Sequence, residues 1–206
     1  MRPDWCPDFS GARVLIVASG PSAQSVPLDE AKGLSRFVAI NESWKLCPWA
    51  DLLYACDGAW WKANNGVAEF GGLRVTQDQS VRVRFPNVQH VKCRRGVARI
   101  LVDDTGEIGD GRTSLFQALN LVVRAGPPRA IGLVGADMRL DYGMHWHGPH
   151  RGELNNPREK IVLRWREALD GVADQLAGLG VTVLNLSAIS TLQNYRKVTL
   201  QEFLAA

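Results

Sequence analysis

The 206-residue sequence has little net charge, few histidines and no long apolar run, and each scarcity excludes a class of protein. A formal net charge of +3 creates no field strong enough to draw in a polyanion, so nucleic acid is not indicated as a partner. No apolar stretch approaches the ~20 residues of a membrane span. The opening Met1-Arg2-Pro3-Asp4-Trp5 lacks the apolar centre of a signal peptide, and a cytoplasmic location is the expectation. Cys6, Cys47, Cys56 and Cys93 stand far apart, without the paired spacing of a zinc site or a disulfide framework, so reduced and mostly buried thiols are expected. The dinucleotide fingerprint G-x-G-x-x-G is missing, and there is no internal repeat or low-complexity segment. What remains is 46% hydrophobic and 22% charged, the composition of one domain with a sizeable core over residues 1–206.

Short apolar runs that end in polar tips organise the chain. Val14-Leu15-Ile16-Val17 reads as a strand buried on both faces, and Ala18-Ser19-Gly20-Pro21-Ser22 ends it in a tight loop. There a glycine lets the backbone approach a ligand, and the N–H groups of the next turn favour an anion. Arg36–Ile40 and Ala50–Cys56 repeat the pattern, ending at Asn41-Glu42-Ser43-Trp44 and Asp57-Gly58-Ala59-Trp60-Trp61. Connections too long for hairpins predict parallel βαβ units, and hence an α/β, Rossmann-like, mostly parallel sheet flanked by helices. Ligands of such sheets bind where the carboxyl ends gather. Asp57 beside two tryptophans raises sugar or base stacking, against the commoner packed role of paired tryptophans.

From Lys62 the pattern fades, and residues 62–112 read as an irregular insertion with short strands at Val75-Thr76 and Val88–Val91. Its basic cluster, Lys92, Arg94, Arg95 and Arg99, reads as a solvated face offset by nearby acids, a grip on an anionic substrate being the sharper alternative. Thr113 or Ser114 then caps a helix with Leu115, Leu119, Val122 and Val123 on its apolar face, closed by Gly126. Ala130–Val134 is a buried strand tipped by Gly135-Ala136-Asp137. Residues 138–156 form a lid loop holding His145, His147 and His150, three of the four histidines. Pro157 opens one long helix ended by Gly180, with Trp165, Leu169, Val172, Leu176 and Leu179 as its core stripe. Val181–Asn185 is the last strand, and Thr199 with Glu202 forms a capping box.

In order, Gly20-Pro21-Ser22, Asn41, Thr113-Ser114, Gly135-x-Asp137, the histidine loop, and Asn185-x-Ser187 followed by Leu192 and Tyr195 resemble the small bacterial CMP-sialic-acid sialyltransferases. The same order looks like proteins of the motility accessory factor and 6-hydroxymethylpterin diphosphokinase type, and small phage-borne proteins share it. The resemblance spans nearly the whole chain. It implies nucleotide binding by Ser19, Gly20, Ser22, Asn41, Thr113 and Ser114, a lid-loop histidine as general base, and no required cofactor. Pro21, Asp57, Gly135 and Asp137, at the same strand tips, complete the expected nucleotide-binding set. Two departures stand out: Ala18-Ser19 replaces the family's Gly-Asn before Gly-Pro-Ser, and the tyrosines that hold the leaving phosphate have no clear counterparts.

The resemblance thus implies a transferase acting on a nucleotide or nucleotide sugar and an unknown acceptor, with a glycosyltransferase using a CMP-type donor preferred. Homo-oligomers are frequent among such proteins. A Mg²⁺-dependent diphosphokinase with Asp137 or Asp57 as ligand is the second enzyme reading. A non-catalytic nucleotide- or partner-binding module is the other class. For His145, His147 and His150 three roles stay open: the base, ligands of a divalent metal perhaps with Asp137, or a surface role.

Overall fold

The computed structural model describes residues 3–150, 152 and 154–206. In chain order its elements are β1 (Arg13–Val17), β2 (Arg36–Ile40), β3 (Leu52–Tyr54), α1 (Gly58–Ala63), β4 (Leu73–Thr76), α2 (Gln79–Arg84), β5 (Val88–His90), β6 (Cys93–Arg94), β7 (Ile108–Gly109), α3 (Ser114–Ala125), β8 (Ala130–Val134), α4 (Glu159–Asp170), α5 (Ala173–Gly178), β9 (Thr182–Asn185) and α6 (Leu200–Ala205). Seven strands form one parallel sheet in the order β5-β4-β3-β2-β1-β8-β9, so the fold is α/β and Rossmann-like as the strand tips predict. The chain lays down β2 to β5 on one side of β1, then crosses to place β8 and β9 on the other. That reversal opens a crevice between the carboxyl ends of β1 and β8.

Both faces of the sheet are covered, which is why the strands read as continuous apolar runs rather than alternating ones. Val14, Ile16, Val38, Ile40, Tyr54 and Leu133 pack with α3 on one face. Leu15, Val17, Phe37, Leu53, Trp61 and Phe203 pack on the other. All twelve residues of α3 are buried, because β7 and the chain before it cover the side turned from the sheet. No helix among the described residues is long and apolar enough to cross a membrane.

Two expectations need correction. Residues 62–112 are not an irregular insertion: they supply β4 and β5, which complete the sheet, and the parallel β6–β7 pair. The signal is weak there because these strands are short and carry the polar Arg74 on β4 and Gln89 and His90 on the edge strand β5. The segment leading into α3 is held by buried amides as well as by the core residues Ile100 and Ile108. Asn120 accepts from Leu101 N at 2.9 Å and Gly109 N at 2.7 Å, and donates to Leu101 O at 2.9 Å. Gln117 donates to Asp110 O at 3.0 Å and accepts from Tyr54 Oη at 2.7 Å.

The long helix opened by Pro157 is two helices, α4 and α5, parted at Gly171 and Val172. Glycine is a poor helix residue, and Asp170 is engaged elsewhere, accepting from Gln193 N at 3.0 Å and Asn194 N at 3.1 Å. Leu169, Val172 and Leu176 are core, whereas Trp165 leaves the stripe and lines a cavity. The capping box at Thr199 and Glu202 forms as read.

Candidate functional site

A cavity of about 350 Å³ lies over the carboxyl edge of the sheet, at the β1/β8 crevice and reaching across to α3 and α4. Its floor is the meeting of two loops. Gly20 N donates to Gly135 O at 2.9 Å, and a Cβ at Gly20 would sit 2.6 Å from Asp137 Oδ2. Gly20 has ordinary extended angles, so closeness and not conformation requires glycine there. Gly135 needs both, with φ of 67° and Ala18 O 2.6 Å from where its Cβ would be.

Asp137 is 2% exposed and spends its carboxylate on the first loop. Ser22 N donates to Oδ2 at 2.9 Å and Ser22 Oγ donates to Oδ1. It therefore positions the turn that starts at Pro21. The Asn185-x-Ser187 stretch supports the same tip: Ala136 N donates to Ser187 Oγ at 2.9 Å, and Ser190 Oγ donates to Ala136 O at 2.6 Å. Thr191 Oγ1 donates to Met138 O at 2.7 Å, helping to hold Met138 at a φ of 53°. Asn41 and Arg112 also have left-handed φ, of 49° and 59°, and all three line the cavity. Such conformations are unfavourable for side-chain-bearing residues and collect at functional sites.

The amino end of α3 enters from the side, with Thr113, Ser114 and Leu115 on the cavity wall. Thr113 Oγ1 accepts from Leu115 N at 3.4 Å, and Ser114 Oγ accepts from Cys56 N at 3.0 Å, which locks the helix start to the tip of β3. A helix start carries partial positive charge and favours anions. Arg112 precedes it, exposed at the mouth, with no hydrogen bond or ion pair to its guanidinium among the described residues. On the other wall Asp57 caps α1 by accepting from Ala59 N at 2.9 Å. The two tryptophans are packed edge to face at 5.1 Å, as paired tryptophans usually are, though Trp60 also borders the cavity.

The lid loop is pinned. Trp146 N donates to Ser19 O at 2.9 Å and its indole Nε1 donates to Ser43 Oγ at 3.2 Å, while Ser43 Oγ donates to Ala18 O at 3.0 Å. With Trp146 fixed, the flanking His145 and His147 stack at 5.0 Å between ring centroids in a turn that Gly148 N closes by donating to His145 O at 3.0 Å. His150 completes the group at 4.6 Å and 5.1 Å from them. Its backbone is fixed by Asn156, whose Oδ1 accepts from His150 N at 2.8 Å and whose Nδ2 donates to His150 O at 3.1 Å. Burial lowers all three imidazole pKa values, with the neighbouring histidines adding to it for His145, which falls to about 4. At neutral pH the three rings are uncharged, each with a lone pair available.

Of the sequence-predicted residues, Ser19, Gly20, Asn41, Asp57, Thr113, Ser114, Gly135, Asp137, His145 and His150 share this cavity. Pro21 and Ser22 lie behind its floor, and His147 behind His145. Arg112, Arg139, Asn156 and Trp165 also line it and were missed. Arg112 and Arg139, each within two residues of a predicted site residue, were legible as cations beside an anion site. Trp165 was not, because its helical spacing is that of a core stripe.

A seven-stranded parallel sheet with its cavity at the switch point, a tight glycine loop and a helix start on the wall defines a Rossmann-like α/β domain. No family model matches the sequence, and no curated protein matches it. Among solved structures, the chain is similar to the MAf glycosyltransferase of Magnetospirillum magneticum AMB-1, with a TM-score of 0.66 and 18% identity over 95% of this chain. It spans 35% of that protein's chain, about a third of its length. It is also similar to the sialyltransferase CstII of Campylobacter jejuni, solved in complex with a substrate analogue, cytidine-5'-monophosphate, with a TM-score of 0.56 and 10% identity over 92% of this chain and 86% of the other. At these identities the likeness is one of fold: this chain has the fold of the motility accessory factor and sialyltransferase glycosyltransferases.

Proposed function

We propose that this protein is a cytoplasmic transferase that moves a glycosyl group from a CMP-type nucleotide sugar to a hydroxyl-bearing acceptor. The observation that carries the reading is the convergence on one cavity of the Gly20 loop, the start of α3, Arg112, unpaired among the described residues, and a cluster of neutral imidazoles. In this reading the phosphate lies toward Ser19, Gly20, Thr113 and Ser114, where the helix start and Arg112 stabilise negative charge. Asn41, Gly135 and Asp57 border the nucleotide. The acceptor enters beside His145 and His150. Its hydroxyl oxygen bonds to the anomeric carbon, the bond from that carbon to the phosphate oxygen breaks with its electron pair, and the hydroxyl proton passes to the histidine cluster. A neutral imidazole suits that step, whereas a protonated one could not take the proton.

The reading requires no cofactor. Binding of CMP to the purified protein, followed by thermal unfolding with and without Mg²⁺, tests it. A ligand that binds only the folded state at a hundredfold excess over its Kd adds about 2.7 kcal/mol, which for a chain of this size raises Tm by roughly 5–10 °C. We expect that shift with CMP whether or not Mg²⁺ is present. A shift with ATP that needs Mg²⁺ would move the assignment to diphosphate transfer, with Asp57 the more accessible carboxylate. No shift with any nucleotide would leave a binding module for another partner.

A further inference from the structure

We infer that His145, His147 and His150 form a binding site for one divalent transition-metal ion, with zinc the best match and the remaining coordination position open to the cavity. Each histidine offers one ring nitrogen, and the three atoms lie within 4.8 Å of one another. Tetrahedral zinc with Zn–N bonds near 2.0–2.1 Å places its nitrogens roughly 3.3 Å apart, so the rings need to close by about 1.5 Å. Side-chain rotation supplies that movement without moving the backbone, which Trp146 holds from one side and Asn156 from the other.

A second observation concerns the same rings. Nε2 of His145 and Nε2 of His147 are buried and have no hydrogen-bond partner among the described residues. Buried ring nitrogens are normally satisfied, and one ion would satisfy both. The donor set decides the class of ion. Three imidazoles without a carboxylate select zinc, cobalt, nickel or copper over magnesium or calcium, which prefer oxygen. Asp137 does not join the cluster, because Ser22 occupies both of its oxygens.

Three protein ligands leave a tetrahedral ion one free position. His145 and His150 both line the cavity, so that position is accessible to water, an acceptor hydroxyl or a phosphate oxygen. The inference goes beyond the nucleotide reading, which requires no ion. With an ion bound, the proton acceptor at this wall is a hydroxide on the ion in place of a free imidazole, and the glycine loop is unaffected.

The test is titration of the full-length chain, without a polyhistidine tag and stripped of metal, with Zn²⁺ by calorimetry and with Co²⁺ by its visible absorption. One ion per chain and the intense absorption of tetrahedral Co²⁺ are expected. His145→Ala, His147→Ala and His150→Ala should each weaken binding by on the order of a hundredfold. His90→Ala should change nothing, since His90 sits on β5 with its Nε2 against Gln77 O. Thermal melts of each variant confirm folding, and His→Gln versions serve where alanine unfolds the chain. Absence of stoichiometric binding, or binding that survives His147→Ala, overturns the site. The CMP shift of the same metal-free protein is read separately, so the metal site and the nucleotide reading can fail independently.

Discussion

Replacing Asn120 by alanine is expected to cost about 3–5 kcal/mol and to lower Tm by roughly 10–15 °C. The side chain is fully buried on α3, and its amide makes three hydrogen bonds to the segment before the helix. Alanine leaves Leu101 N and Gly109 N without an acceptor and opens a small void. Each buried unpaired group costs about 1–3 kcal/mol, which is why the total exceeds that of an ordinary surface change. Arg112, Thr113 and Ser114 continue directly from that segment, so loosening it should also weaken nucleotide binding. Denaturant unfolding measures the first effect. Hydrogen exchange measures its location: the Leu101 and Gly109 amides should lose protection while those of β1 and β8 keep theirs. A change below about 1 kcal/mol would show that the segment is not held by this amide.

Gly20→Ala is expected to cost about 2–3 kcal/mol by overpacking, a fall in Tm of roughly 5–10 °C, and to reduce CMP affinity at least tenfold. The backbone at Gly20 suits alanine, with φ of −64° and ψ of 151°. The added methyl has no room, because the Asp137 carboxylate and Gly135 O occupy its place. Relief requires the two loops to part, which breaks the Gly20 N to Gly135 O bond and pulls Ser22 from Asp137. Gly178→Ala is the control: it lies in α5 with nothing near its Cβ position, and the substitution should stabilise by about 0.4–1 kcal/mol. Equal behaviour of the two variants in unfolding and in CMP binding would remove the argument for a close-packed floor.

The sequence by itself determined the parallel α/β fold and most of the cavity wall. Apolar runs ending in polar tips are local signals, and the rule that parallel strands gather their carboxyl ends turns them into a site. Thus the polar tips at Gly20, Asn41, Asp57 and Asp137 and the helix start at Thr113 were legible locally, while the family resemblance supplied the nucleotide-binding expectation for Ser19, Gly20, Asn41 and Thr113. Tertiary structure decided what no window of residues contains. Asp137 turned out to serve the first loop, because its partner Ser22 is far away in sequence and adjacent only once β1 and β8 pair. β4 and β5 joined the sheet through backbone pairing, which polar strand residues such as Arg74 and His90 do not announce. Trp165 lines the cavity while Leu169, four residues on along the same helix, is core, a difference helical spacing alone does not show. The three histidines came within 4.8 Å of one another because Trp146, between two of them, is half-buried and pinned against the tips of β1 and β2. Backbone pattern is written locally, whereas partnership between side chains depends on the distances that only packing sets.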